Sequence, residues 1–218
     1  MRDAGESWMW DRAESMLRDA LTSVARPWVE AANEAAFYGP KIDLQVRDGR
    51  GREQTLATVQ LDFVLPDRFG LQYIAPSGER RTPVMVHRSV VSTMERLVGH
   101  LLDTHGVALP PWIAPVQVVL APFAASAGED CATLHRRLCD LGIRAEVWDS
   151  DASVSTRVRR AGHLGVPWLG VIGDRERHTG TIAVRRRGRA TRAVTMPIDD
   201  FVATVVSVVN ERAPGIPG

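Results

Sequence analysis

The sequence predicts an α/β chain, α+β overall: an antiparallel sheet with helices, then a small, mainly parallel α/β domain. Three observations lead there. Alternating apolar runs between residues 42 and 87 are joined by short polar links, DGRG and PSGER, and links that short join antiparallel strands. From residue 116 onward, apolar runs alternate with helix-length segments, the pattern of parallel strands covered by helices. Between the two regimes LPPWIAP (109–115) follows neither period, which sets the expected domain boundary between 111 and 112.

Taken in order, residues 8–25 read as an amphipathic helix. Trp10, Ala13, Leu17, Ala20, Leu21 and Val24 recur at three- and four-residue steps, and Arg26-Pro27 ends the run. IDLQV (42–46), the DGRG turn and TLATVQLDFVL (55–65) predict a hairpin. LQYIA (71–75) and PVMVH (83–87) flank a second turn. SVVSTMERLVGHLL (89–102) returns to helical spacing, with Val90, Met94, Leu97, Val98, Leu101 and Leu102 as the expected buried stripe and Arg96 off it. Past the boundary the order is strand 116–120, helix 128–141, strand 144–148, helix 153–163 and strand 168–172. The polar stretch GDRERHTG, the strand TIAVRRR and a last helix over 198–211 follow.

Composition narrows the function classes. Cys131 and Cys139 are eight apart on one predicted helix, about 12 Å along its axis, too far to bridge. There is no CxxC pair for a zinc knuckle. The charged N-terminus has no apolar signal core, and no apolar run is long enough for a bilayer, so a soluble cytoplasmic protein is expected. The formal charge is +1, and its densest basic cluster is Arg185, Arg186, Arg187, Arg189 and Arg192, a pattern that suits phosphates or a solvated hairpin equally. Lys41 is the sole lysine; the other 26 of the 27 basic residues are arginine.

Four segments then carry a resemblance: FYGPKID (37–43), TVQLDF (58–63), PVMVHRSVVSTMER (83–96), and a tail module from WIAPVQV (112–118) through GVPWLGVIGDRE and GTIAVRRRG. In this order they resemble the C-terminal half of a class II threonyl-tRNA synthetase, over roughly residues 8–211. That family joins threonine to ATP, then passes the acyl group to tRNA. Fixed cationic donors stabilise the charge that develops on phosphate.

The resemblance implies roles for particular residues. Lys41 and Arg96 are the expected catalytic cations, Arg96 matching the arginine of the third signature motif that grips the γ-phosphate through its fork of donors. Tyr38, Gln60, Asp62 and Thr93 are expected to bind substrate and ATP, and His87 matches one ligand of a zinc site that is incomplete here. Asp151, Arg159, Glu176 and Arg185 match anticodon-contacting positions. The implied cofactors are ATP with Mg, and zinc. The implied partner is tRNA, with a homodimer or an upstream synthetase half beside it, and neither membrane nor DNA.

The sequence departs from the family pattern in places. TLAT (55–58) stands where QCGT is usual, Ser92-Thr93 replaces Gly-Ser, and Asp151 replaces Asn. The family's first two signature motifs have no counterpart in these residues. The expectation is therefore a threonyl-tRNA synthetase family protein not catalytic alone. The alternative is a non-catalytic tRNA-binding paralogue or partner subunit that keeps the fold.

Overall fold

A computed structural model describes residues 6–148, 152–188 and 193–215. The chain divides into two compact units, Met1–Asp103 and Thr104–Gly218, upstream of the point expected from the proline-rich segment. The reason lies in that segment's carbonyls. Gln117, fully buried, donates to Pro111 O at 2.9 Å. Arg144 donates to Trp112 O and Ala114 O, and Arg187 to Leu109 O. Prolines leave the segment short of internal donors, and side chains of the second unit supply them.

In the first unit, helix α1 (Ser7–Ser23) is followed by strands β1 (Lys41–Arg47) and β2 (Glu53–Asp62), the short helix α2 (Leu65–Arg68), strands β3 (Tyr73–Ile74), β4 (Arg80–Arg81) and β5 (Met85–Ser89), and helix α3 (Met94–His105). The sheet order is β1-β2-β5, antiparallel throughout. Asp48 organises the DGRG turn by accepting from Arg50 N, Arg52 N, Arg52 Nε and Gln54 Nε2. Around PSGER the expected pairing changes: β3 pairs with β4, and β5 crosses to pair with β2.

Helix α3 begins at Met94 rather than 89. Ser89 still belongs to β5, and Ser92 sits at φ 57°, a left-handed conformation that no helix can pass through. Thr93 Oγ1 then accepts from Arg96 N at 3.3 Å, as an N-cap does.

The first unit is thinly filled. Among its described residues the buried apolar side chains are Trp10, Ala13, Pro40, Pro66 and Ala75, with Trp10 edge-on to Phe63. The expected stripe on α1 is buried only at Trp10 and Ala13. No residue of the expected stripe on α3 is fully buried: Val90, Met94, Val98 and Leu102 are exposed, and Leu97 and Leu101 are half-buried.

The second unit contains strand β6 (Val118–Pro122), a 3₁₀ turn, helix α4 (Gly128–Asp140), β7 (Ala145–Val147), α5 (Val154–His163) and β8 (Trp168–Ile172). Helix α6 (Asp174–Thr179), β9 (Thr181–Arg186), β10 (Val194–Pro197) and α7 (Ile198–Asn210) complete it. The sheet order is β10-β9-β8-β6-β7, with β6, β7 and β8 parallel and β9 and β10 antiparallel. Helix α6 and strand β10 are additions to the expected order. VVLAP in β6 is buried at every position, as befits a strand covered on both faces. Its side chains alternate between two cores. Val118 and Leu120 pack with Leu134, Leu138, Trp168, Ile172, Phe201 and Val205. Val119 and Ala121 pack with Trp148, Ala161, Val166 and Leu169. Both hydrophobic clusters of the described residues lie in this unit.

Candidate functional site

FYGP places the first site residues. Ala36 and Gly39 form an isolated antiparallel bridge, and Gly39 donates to Ala36 O at 3.2 Å. Leu61 N and Phe63 N donate to Pro40 O and Tyr38 O, so the turn is laced along β2. A Cβ on Gly39 would lie 2.2 Å from Leu61 O, a backbone atom that cannot swing aside. Gly39→Ala is therefore expected to cost about 2–4 kcal/mol of first-unit stability, read as a lower urea midpoint.

An open cleft of about 710 Å³ lies over β2 and β5. Of the expected residues, Tyr38, Gln60, Asp62 and His87 line it; Lys41, Thr93 and Arg96 do not. Tyr38 OH donates to Gln60 Oε1 at 2.7 Å. Asp62, whose side chain is 2% exposed, accepts Val64 N, Leu65 N and His87 Nε2, the last at 2.8 Å. Burial pushes the Asp62 carboxyl up, but hydrogen bonds from Leu65, His87 and Val64 together outweigh it. Its pKa therefore lies below the usual 3.8. Thr58, Arg68, Arg88 and Ser89 also line the cleft, and sequence reasoning missed them. For Arg88 and Ser89 the missing signal was the β2–β5 register, which sets Val59 opposite Arg88 and Thr58 opposite Ser89.

Lys41 Nζ instead meets Asp43 Oδ2 at 2.5 Å on the same face of β1. Arg96 is exposed in the first turn of α3. As for zinc, His87 is tied to Asp62, and among the described residues no three His, Cys, Asp or Glu side chains are placed to hold a metal ion. The donor set of the described residues does not fit zinc, and no step is assigned to it.

The RNA-contacting candidates fall on elements that lead into and out of β8. Arg159 is exposed on α5. Beside it, Arg160 lies over the Trp148 ring at 4.6 Å, and buried Arg157 donates to Trp148 O at 2.8 Å. Glu176 is on α6, its Oε2 accepting from Gly173 N and its Oε1 from Arg175. Arg185 is half-buried on β9, opposite Leu169. Asp151 lies outside the described residues, as do Arg189 and Arg192 of the basic cluster. Arg187 is removed from that cluster as a phosphate donor, because its guanidinium serves Gly165 O and Leu109 O.

Comparison with known proteins assigns both units. The family model "tRNA synthetase class II core domain (G, H, P, S and T)" matches residues 6–105, and "Anticodon binding domain" matches 117–207. The chain thus joins class II aminoacyl-tRNA synthetase core sequence to an anticodon-binding domain. Threonine–tRNA ligase of Listeria monocytogenes serotype 4a (strain HCC23) is 45% identical over 204 residues, 93% of this chain and 32% of that protein. Threonine–tRNA ligase 1 of Bacillus subtilis (strain 168) is 43% identical over 200 residues, 91% of this chain and 31% of that one. The solved RNA binding domain of threonyl-tRNA synthetase from Cryptosporidium parvum Iowa II superposes with a TM-score of 0.84 at 30% identity, covering 100% of this chain and 53% of its own. The chain belongs to the threonyl-tRNA synthetase family and spans about a third of the length of the curated relatives it matches.

Proposed function

We propose that this chain acts in threonylation of tRNA, chiefly by holding the tRNA. The second unit binds the anticodon arm. The first supplies one wall of the pocket for threonine and ATP with Mg, and synthetase sequence outside these residues supplies the opposite wall. The observation that carries this is the contrast in packing: two closed cores in the second unit, against a few scattered buried apolar side chains and no hydrophobic cluster among the described residues of the first. A lobe with its own core presents a fixed surface to RNA; a thinly filled sheet does not fix a catalytic geometry. The cytoplasm, where tRNA is charged, is the location that suits this role.

The test is fluorescence anisotropy of labelled, unfractionated tRNA with the purified chain. Binding at low salt is expected, weakening about 20-fold between about 50 and 200 mM salt if roughly three phosphates are neutralised. Absence of binding at low salt refutes the reading.

A second reading, a paralogue that binds tRNA without activating threonine, is favoured by the pairing of Lys41 with Asp43 and by the absence of Lys41 and Arg96 from the cleft lining. ATP–pyrophosphate exchange by the chain mixed with a partner carrying the remaining core separates the two. Threonine-dependent exchange supports the first reading, and its absence supports the second.

A further inference from the structure

One aromatic side chain of the second unit is left in the open by an otherwise closed core. Trp148, Trp168 and Phe201 are buried and Trp112 is half-buried, while Phe123 is 67% exposed. Its place in the fold is specific. β6 lies between β7 on one side and β8 on the other, all three parallel. Open α/β sheets bind ligands beyond the carboxyl ends of the strands where the order reverses. Phe123 is the first residue beyond the carboxyl end of β6, and its backbone N donates to Ile172 O at 2.8 Å.

The neighbouring chain is cut away to suit it. A Cβ on Gly173 would lie 3.4 Å from Phe123 Cβ and 3.1 Å from Glu176 Oε2, so a bare backbone separates an exposed ring from a carboxylate. That carboxylate is held in place by Gly173 N and by Arg175. An exposed π-face beside a fixed acceptor is what an unpaired base requires: a surface to stack on and a partner for its edge N–H groups.

We propose that Phe123 is a base-stacking platform of the RNA site, with the ring taking one unpaired base whose edge faces Glu176. This rests on the tRNA-binding reading above and adds a contact residue to it. Stacking depends on the aromatic face, not on bulk. Phe123→Ala and Phe123→Leu should both weaken binding to an anticodon stem–loop RNA by about 5- to 150-fold, while Phe123→Trp retains it. Because the side chain is exposed, melting temperatures should stay close to that of the parent chain.

The experiment is anisotropy of a labelled stem–loop RNA, with the same stem closed as a duplex in parallel. The expected result is loss on the stem–loop for Ala and Leu, no change on the duplex, and recovery with Trp. Binding by the Leu variant equal to the parent's, or equal losses on stem–loop and duplex, would overturn the platform while leaving tRNA binding intact. No binding of either RNA by the parent chain would overturn both.

Discussion

Asp62→Ala is expected to lower the stability of the first unit by about 3 kcal/mol and leave the second unit's transition in place. The carboxylate is buried and receives three donors: two backbone N–H groups where β2 passes into α2, and the His87 ring from β5. Alanine leaves both N–H groups without an acceptor in a nearly closed spot, at about 1–3 kcal/mol each before relaxation. It also severs a link between β2 and β5 in a unit with little apolar burial to compensate. Urea unfolding followed by far-UV circular dichroism should show the first of two transitions move to lower denaturant. A single unshifted transition would contradict this.

Acid should act through the same group. Its folded pKa is depressed, so the stabilisation is complete above the usual value of 3.8 and is lost as pH falls below that through the folded pKa. Asp48, held low first by the Arg52 backbone donor, adds in the same direction. In Asp62→Asn the acid limb of the first transition should flatten.

The second large effect concerns RNA. Arg159→Ala and Arg185→Ala should each weaken tRNA binding by about 5- to 100-fold if they contact base edges, with melting of the second unit little changed for the exposed Arg159. Either arginine serving phosphate instead would give a smaller, sequence-independent loss and reduce the salt slope by about one. Comparing the slopes of the two variants therefore assigns each guanidinium its role. Affinity and slope both unchanged in the double variant would remove these residues from the site.

What could be read in advance followed the range of the interactions. Continuous apolar runs specified β6 and β8 because full burial leaves no polar positions to obscure them. Helix α6 has no apolar stripe to announce it. It is held by the Glu176–Gly173 capping contact and by Arg177 reaching Asp130 on α4, and only folding brings that last pair together. Strand β10 is mostly exposed and ends on a proline, so it lacked the alternation that marked the others.

The stripe on α3 is a different case. Periodicity correctly marked an apolar face but carried no information on what covers it, and four of its six residues are exposed. In the cleft, the Asp62–His87 link depends on β5 crossing to β2, a pairing beyond local pattern. The Lys41 pairing, by contrast, was within reach: residues two apart on a strand share a face, so KID already places the ammonium beside the Asp43 carboxylate.

Hydrogen exchange with and without tRNA tests the division of labour directly, because it reads local stability and contact together. Slow exchange is expected in β6, β8 and β9 in either state, fast exchange in β1, β2 and β5, and added protection by tRNA around Phe123, along α5 and from Gly173 to Arg186. Uniformly slow exchange in the first sheet, or tRNA protection confined to it, would contradict the claim that the RNA-binding lobe stands on its own core while the pocket wall does not.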